Sequence, residues 1–357
     1  MVSPAGSSAL PKTLPKRIGA YEIKEALGRG AMGEVFLGVH EHLERPVAIK
    51  RRHGDQRSKE SEERFLREGR ALARLNHHGI IAVHDLFTSR GEWCLVLEYV
   101  DGFDLAELIK TGPLPADVAA IIGVHLAEAL EHAHFHRIIH RDIKPANVLL
   151  SRKGEVKLGD FGIARDESTE DKKLTATGMV VGTPMYLAPE LLRGEEAGPP
   201  SDIYSVGALL YHALSGRRMF ENASGDAIYA AILRGKYRKL SQVAAGVPRA
   251  LQKIVERCLD RKSEKRFATA ADLRRALEAF LVSHQARANH ASRLIAFLHA
   301  RGQLTEQESL TCIDASELVI GDRSELRAPR RWPWAAVLIG LGALLGWYLM
   351  YARLIPH

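Results

Sequence analysis

Between residues 21 and 100, short apolar runs alternate with polar positions at the period of a strand: YEIKEAL, GEVFLGVH, RPVAIKR, IAVHDLF and EWCLVLEYV. One segment breaks the series. Over 61–75 the apolar residues Phe65, Leu66, Leu72 and Leu75 recur at helical spacing, which predicts a single helix among the strands. After residue 101 the pattern changes to long amphipathic helices, represented by 116–134 and 201–214. A small strand-rich lobe (21–100) followed by a larger helical lobe (101–281) is an α+β arrangement with a cleft between the lobes.

The ends follow other patterns. Residues 1–20 carry Pro4, Pro11 and Pro15 among small polar residues and lack the apolar core of a signal peptide, so they read as a flexible leader. The helical pattern fades near Leu281, and 282–333 mixes one plausible helix, ASRLIAFLHAR, with polar turns, as expected of a juxtamembrane linker. From 334 to 351 no charged residue occurs over 18 positions. As a helix this stretch spans ~27 Å, near the thickness of a bilayer core. Trp332, Trp334, Trp347, Tyr348 and Tyr351 stand toward its ends, as at membrane interfaces. A buried C-terminal helix is the competing reading. Arg323, Arg327, Arg330 and Arg331 precede the segment and only Arg353 follows it, so the positive-inside bias places the lobes in the cytoplasm and 352–357 outside. The expected protein is anchored by its tail in a cell membrane and touches lipid there. Gly342 and Gly346 form a GxxxG through which two such helices could pair.

Composition narrows the class further. Hydrophobic residues at 46% and charged residues at 26% match folded proteins and exclude global disorder or a polytopic membrane protein. The net charge of +7 reads as dispersed along the chain, which suits anionic ligands and gives no stripe for nucleic acid. Cys94, Cys258 and Cys312 are far apart and odd in number, which excludes a disulfide framework and fits a reducing compartment.

Candidate chemistry begins with Gly28, Gly30 and Gly33 in GRGAMGEV. In a dinucleotide-binding fold this spacing opens a helix and is followed by an acidic ribose ligand. Here Glu34 to His40 reads as another strand, so the glycines fit a hairpin over nucleotide phosphates. Val47-Ala48-Ile49-Lys50 follows, a strand ending in a lysine that such a hairpin would let reach the phosphates. Glu68, on the helix between that strand and the next, is the carboxylate candidate to hold it. Further on stand His140-Arg141-Asp142-Ile143-Lys144-Pro145-Ala146-Asn147, then Asp160-Phe161-Gly162, then Ala188-Pro189-Glu190.

With these motifs in this order, residues 21–281 resemble a eukaryotic-type protein kinase of the bacterial serine/threonine kind. The resemblance implies a two-lobed kinase fold and ATP with Mg2+, for which Mn2+ can substitute. It implies that Asp160 and Asn147 hold the metal ions and that Asp142 takes the proton of the substrate hydroxyl. Lys144, near the γ-phosphate, and Thr183, in the segment that meets the peptide, accompany serine/threonine specificity. The adenine slot would be walled by Leu27, Val35, Ala48 and Leu149, with Leu97 at its back and the backbone from Glu98 to Val100 offering hydrogen bonds. Thr175 and Thr177 resemble autophosphorylated threonines of an activation loop, where a phosphate could pair with Arg141. Asp202 resembles a brace of the catalytic loop, and Arg266 a partner of Glu190.

The implied partners are protein substrates and a second copy, through the kinase domain or the tail helix, and the implied location is a bacterial inner membrane. A pseudokinase scaffold and a small-molecule phosphotransferase compete. The first is disfavoured because Lys50, Glu68, Asp142, Asn147 and Asp160 are all present; the second, because of Thr183 and Ala188-Pro189-Glu190. His125, His132, His134 and His136 invite a metal reading, but no Cys or carboxylate completes an evident site. His77-His78-Gly79 departs from the kinase pattern at a turn and touches nothing catalytic.

Overall fold

The alternation of the first lobe becomes a six-stranded antiparallel sheet in the order β1-β2-β3-β4-β6-β5. Its strands are β1 Arg17–Ile18, β2 Tyr21–Gly30, β3 Gly33–His40, β4 Pro46–Arg51, β5 Val83–Ser89 and β6 Glu92–Glu98. The computed structural model describes residues 14–30, 33–51, 59–161, 184–221, 226–284 and 289–321, the side chains of 59–62, 64, 68, 226 and 314–321 excepted. One sheet face buries Ile18, Tyr21, Ile23, Phe36, Val47, Ile49, Cys94 and Val96 as a core of its own. Each such aliphatic or aromatic side chain stabilises the lobe by about 1.5–3 kcal/mol relative to exposure. The alternate positions Val35, Ala48, Lys50 and Leu97 are only half-buried, because the strand period turns them to the other face.

The helix predicted at 61–75 is α1, Lys59–Leu72. It packs on the sheet so closely that a Cβ at Gly69 would stand 2.9 Å from the Leu86 side chain. The second lobe contains α2 Leu105–Lys110, α3 Ala116–Phe135, the one-turn α4 Pro189–Leu192, α5 Pro199–Ser215, α6 Asp226–Arg234, α7 Leu240–Val243, α8 Arg249–Cys258 and α9 Ala270–Ser283. A three-stranded sheet, β7 Gly102–Asp104, β8 Val148–Ser151 and β9 Val156–Leu158, lies within it. α3 is buried on most sides, the mark of a central helix. Its Gly123 has no room for a side chain, since a Cβ would meet Leu277 of α9 at 2.9 Å and Leu210 of α5 at 3.3 Å.

Two stretches read from sequence as appendages prove to be packed. Arg17 and Ile18, inside the expected leader, form β1 on the edge of β2, with Ile18 in the small-lobe core. Two residues are too few for a periodic signal. Inside the expected linker 282–333, α10 His290–Ala300 and the start of α11 Glu306–Gly321 join the second lobe. Leu294, Ile295, Phe297, Leu298 and Leu304 are all buried in its core, and Ser309 is buried with them. Arg293 binds Asp117 of α3 through two contacts of 2.5 and 3.0 Å, and Arg301 donates to the carbonyls of Thr111 (2.7 Å) and Pro113 (2.5 Å). At the β8–β9 turn Gly154, with φ +77°, lies so near α10 that a Cβ would stand 2.4 Å from the Ala291 carbonyl. The stretch from 290 to 313 is therefore a strap on the large lobe. Among the described residues no helix is long and apolar enough to cross a membrane; the segment 334–351 and the GxxxG lie outside them.

Candidate active site

The loop between α3 and β8 is fixed from below by one buried carboxylate. Asp202, in the first turn of α5 and 1% exposed, accepts the backbone N–H groups of His140 and Arg141, each at 2.9 Å, and bonds His134 Nε2 at 2.8 Å. This brace holds Arg141 at φ +66°, a left-handed conformation that costs a non-glycine residue roughly 1–2 kcal/mol. His140 is fully buried against the Phe161 ring, centroids 4.3 Å apart. Its Nε2 donates to the Gly159 carbonyl at 3.1 Å and its Nδ1 accepts the Asp142 N–H at 3.3 Å. Burial pushes its pKa down against the nearby carboxylates Asp202 and Asp142, and the neutral ring matches one donor and one acceptor.

On that foundation the sequence-predicted polar set converges. Asp142 Oδ2 accepts Lys144 Nζ at 2.6 Å and Asn147 Nδ2 at 3.1 Å, while the same Asn147 nitrogen donates to the Asp142 carbonyl at 2.7 Å. With its NH2 group directed at Asp142, the Asn147 amide offers its oxygen to a cation. Lys50 Nζ, from the small lobe, lies 2.9 Å from Asp160 Oδ1 across 110 residues of sequence. Asp160 stands at φ +52°, tolerated by a short polar side chain, and remains 55% exposed toward the cleft. Enclosure by protein would raise its pKa, but the charge and hydrogen bond of Lys50, aided by Lys144, hold it below the usual carboxylate range. A carboxylate and an amide oxygen side by side are the hard donors that Mg2+ selects, so the residues fit the expected ion.

Above the polar set lies the apolar slot. Gly30 pairs with Gly33 and Gly28 with Val35, closing the hairpin between β2 and β3; positions 31 and 32 lie outside the described residues. Val35 sits directly opposite Lys50, and Ala48 opposite Leu97, which places all four on one face. Leu27 is 42% exposed, and Leu149 is half-buried between fully covered neighbours. Apolar side chains left uncovered along one cleft suit a flat aromatic base. Glu98 and Val100 follow at the end of β6. Sequence reasoning missed what the Glu98 side chain does: it pairs with Lys157 Nζ at 2.6 Å and accepts the Ala82 N–H at 3.2 Å, fastening the interlobe connection to β9.

Glu68 falls on α1, but its side chain lies outside the described residues, as do Gly162, Thr175, Thr177 and Thr183. Downstream, Arg266 and Glu190 form the expected pair, fork to fork at 2.7 Å for both contacts, with Ser201 donating to the same carboxylate at 2.9 Å. Of the four histidines near the loop, His134 serves Asp202, and His132 stacks on His77 with centroids 5.1 Å apart.

Such a cleft, with a glycine hairpin above and an acidic loop below, is the architecture of a two-lobed kinase. Residues 21–277 match the family model described as protein kinase domain, and the chain belongs to that family. It is 38% identical over 262 residues to the serine/threonine-protein kinase PknB of Mycolicibacterium smegmatis, covering 71% of this chain and 42% of that one. It is 35% identical over 269 residues to PknH of Mycobacterium tuberculosis, covering 75% and 43% respectively. The chain thus spans less than half the length of these curated relatives. Among solved structures, the kinase domain of Mycobacterium tuberculosis PknI is 27% identical with a TM-score of 0.59, covering 76% of this chain and 99% of that one.

Proposed function

We propose that the chain is a serine/threonine protein kinase that moves the γ-phosphoryl group of ATP to hydroxyls of protein substrates. The observation that carries this reading is the contact of Lys50 with Asp160 beside Asp142 and Asn147, joining the two lobes at one point. Bound Mg2+ would offset the phosphate charges and would be held by Asp160 and Asn147. Lys50 aligns the phosphates, and Lys144 neutralises charge as it develops beside Asp142. Asp142 Oδ2 is already fixed by Lys144 and Asn147, so the carboxylate is preset to orient the substrate hydroxyl and take its proton. The serine/threonine relatives and Lys144 favour an aliphatic hydroxyl over tyrosine. The reading extends to control by phosphorylation at Thr175 or Thr177, peptide contact at Thr183, and anchorage of a cytoplasmic kinase in a bacterial membrane by 334–351, with pairing of copies; the sequence patterns support these. Acid hydrolysis of the protein after incubation with γ-labelled ATP and Mg2+ tests the specificity. Label in phosphoserine or phosphothreonine is expected, and label in phosphotyrosine alone contradicts it.

A further inference from the structure

The positive charge expected to be dispersed along the chain is concentrated in one part of the large lobe. Residues 216–266 hold 13 basic and 5 acidic side chains, a surplus of 8, while the whole chain carries +7. The rest of the sequence is therefore close to neutral. Three turns bring the exposed part of this surplus together. Tyr211, near the end of α5, donates its hydroxyl to the Arg238 carbonyl at 2.6 Å, and the Tyr237 ring meets the rings of Tyr211 and Phe220 with centroids 5.7 and 6.4 Å apart. The turn between α6 and α7 is thereby seated on the end of α5, which runs out into Arg217. On its other side Gly235 faces the Arg261 side chain, which a Cβ there would meet at 3.6 Å, in the turn after α8. Arg217, Lys236, Arg238, Lys239, Arg261 and Lys262, around these turns, are all exposed. Arg217 meets Glu221 at 3.5 Å, but among the described residues none of the other five pairs with a carboxylate. Elsewhere on the lobe Arg152, Arg274 and Arg293 each hold one.

We propose that this basic face lies on the anionic headgroups of a phospholipid membrane, a claim that rests on the anchorage read for 334–351. The alternative is ordinary solvated charge, which any basic surface can be. The first observation in favour of lipid is continuity with the strap. Gly216 lies against Pro113, a Cβ there standing 3.6 Å from the Pro113 ring, and the Pro113 carbonyl is held by Arg301 of the strap, the last packed segment before 334–351. The second is the kind of surface. The large exposed apolar side chains among the described residues are Leu14, Leu27, Leu43, Phe135, Val282 and Leu310, none of them within 216–266. A docked polypeptide draws most of its affinity from a few aromatic or other well-packed anchors, whereas an anionic bilayer attracts Lys and Arg by charge alone, over about a Debye length. Unpaired cations without apolar anchors fit the bilayer. Lys50, Asp142, Asn147 and Asp160 do not belong to this face, so the cleft keeps its access to protein substrates.

The test is acylation of lysines by an uncharged succinimidyl ester, read by mass spectrometry on the full chain reconstituted into vesicles of phosphatidylcholine alone or of phosphatidylcholine with phosphatidylglycerol. Lys236, Lys239 and Lys262 are expected to react several-fold more slowly in the phosphatidylglycerol vesicles and to recover at molar salt, where the Debye length falls to ~3 Å. Lys16 and Lys24, exposed on the small lobe, should react alike in both. Equal reactivity of the three in the two lipids, or equal slowing of all five, overturns the proposal. So does slowing by dephosphorylated casein, an acidic protein, in neutral vesicles when phosphatidylglycerol produces none, which would assign the face to acidic polypeptides. Alkaline carbonate extraction of the neutral vesicles reads the anchor separately: release of the chain would refute the span at 334–351, while the lysine readout, which needs no phosphoryl transfer, would still decide the face.

Discussion

Asp142, Asn147 and Asp160 are held in place by directed bonds, to a lysine, to a backbone carbonyl and to one another's neighbours, while the cleft around them stays open. The strap at 290–313 is held by the reverse means. Leu294, Ile295, Phe297 and Leu298 disappear into the core, and Arg293, Arg301 and Glu308 add directed bonds at its edge. Polar chemistry demands particular residue types at particular spacings, so it leaves motifs; apolar packing demands only volume and a face, so it leaves none. A region can be indispensable to the fold and still read as a linker.

The comparison sharpens first at Asp142. Replacing it by Asn should cut phosphoryl transfer by about 10²–10⁴-fold, since a general base contributes about that much, while leaving the unfolding midpoint nearly unchanged. A matching loss of stability would show that the cleft and the packing are not separable. Glu190→Gln should do the opposite. Breaking a buried pair by removing one partner costs roughly 3–5 kcal/mol, read as a lower urea midpoint. The same pair sets a pH dependence. Burial would raise the pKa of Glu190, but the hydrogen bonds and charge of Arg266 lower it on balance. A carboxylate depressed in the folded state contributes its stability above its unfolded pKa and loses it as the pH falls through the folded value. Stability of the wild type should therefore drop on acidification more steeply than that of Glu190→Gln.

In the strap, Leu298→Ala should cost about 2–5 kcal/mol, the range for emptying a buried aliphatic site. A cost near zero by urea denaturation would mean that α10 is not part of the folded lobe. The smallest effect belongs to Glu308, which meets Arg152 at 3.3 Å on the surface, beside the Arg152–Asp101 contact. Half-exposed pairs of this kind are worth about 0–1 kcal/mol, so Glu308→Gln should barely move the midpoint.

How much the sequence discloses varies in the same way. The strand period alone puts Ala48 and Lys50 on one face of their strand, the resemblance to kinases singles out Val35, and the same resemblance groups Asp142, Asn147 and Asp160. What it does not disclose is long-range pairing without a motif. Arg293 and Asp117 lie 176 residues apart, and nothing in ASRLIAFLHAR says which helix it will cover. β1 is too short for any period.

The central claim is that groups from both lobes act as one clamp on a metal-bound triphosphate. Its most direct test is transfer of label from γ-labelled ATP and Mg2+ to protein by the purified full chain, compared with Lys50→Met and Asp160→Asn. Robust labelling by the wild type, nearly abolished in each variant with folding intact, is the predicted result. Undiminished labelling in either variant would contradict the account.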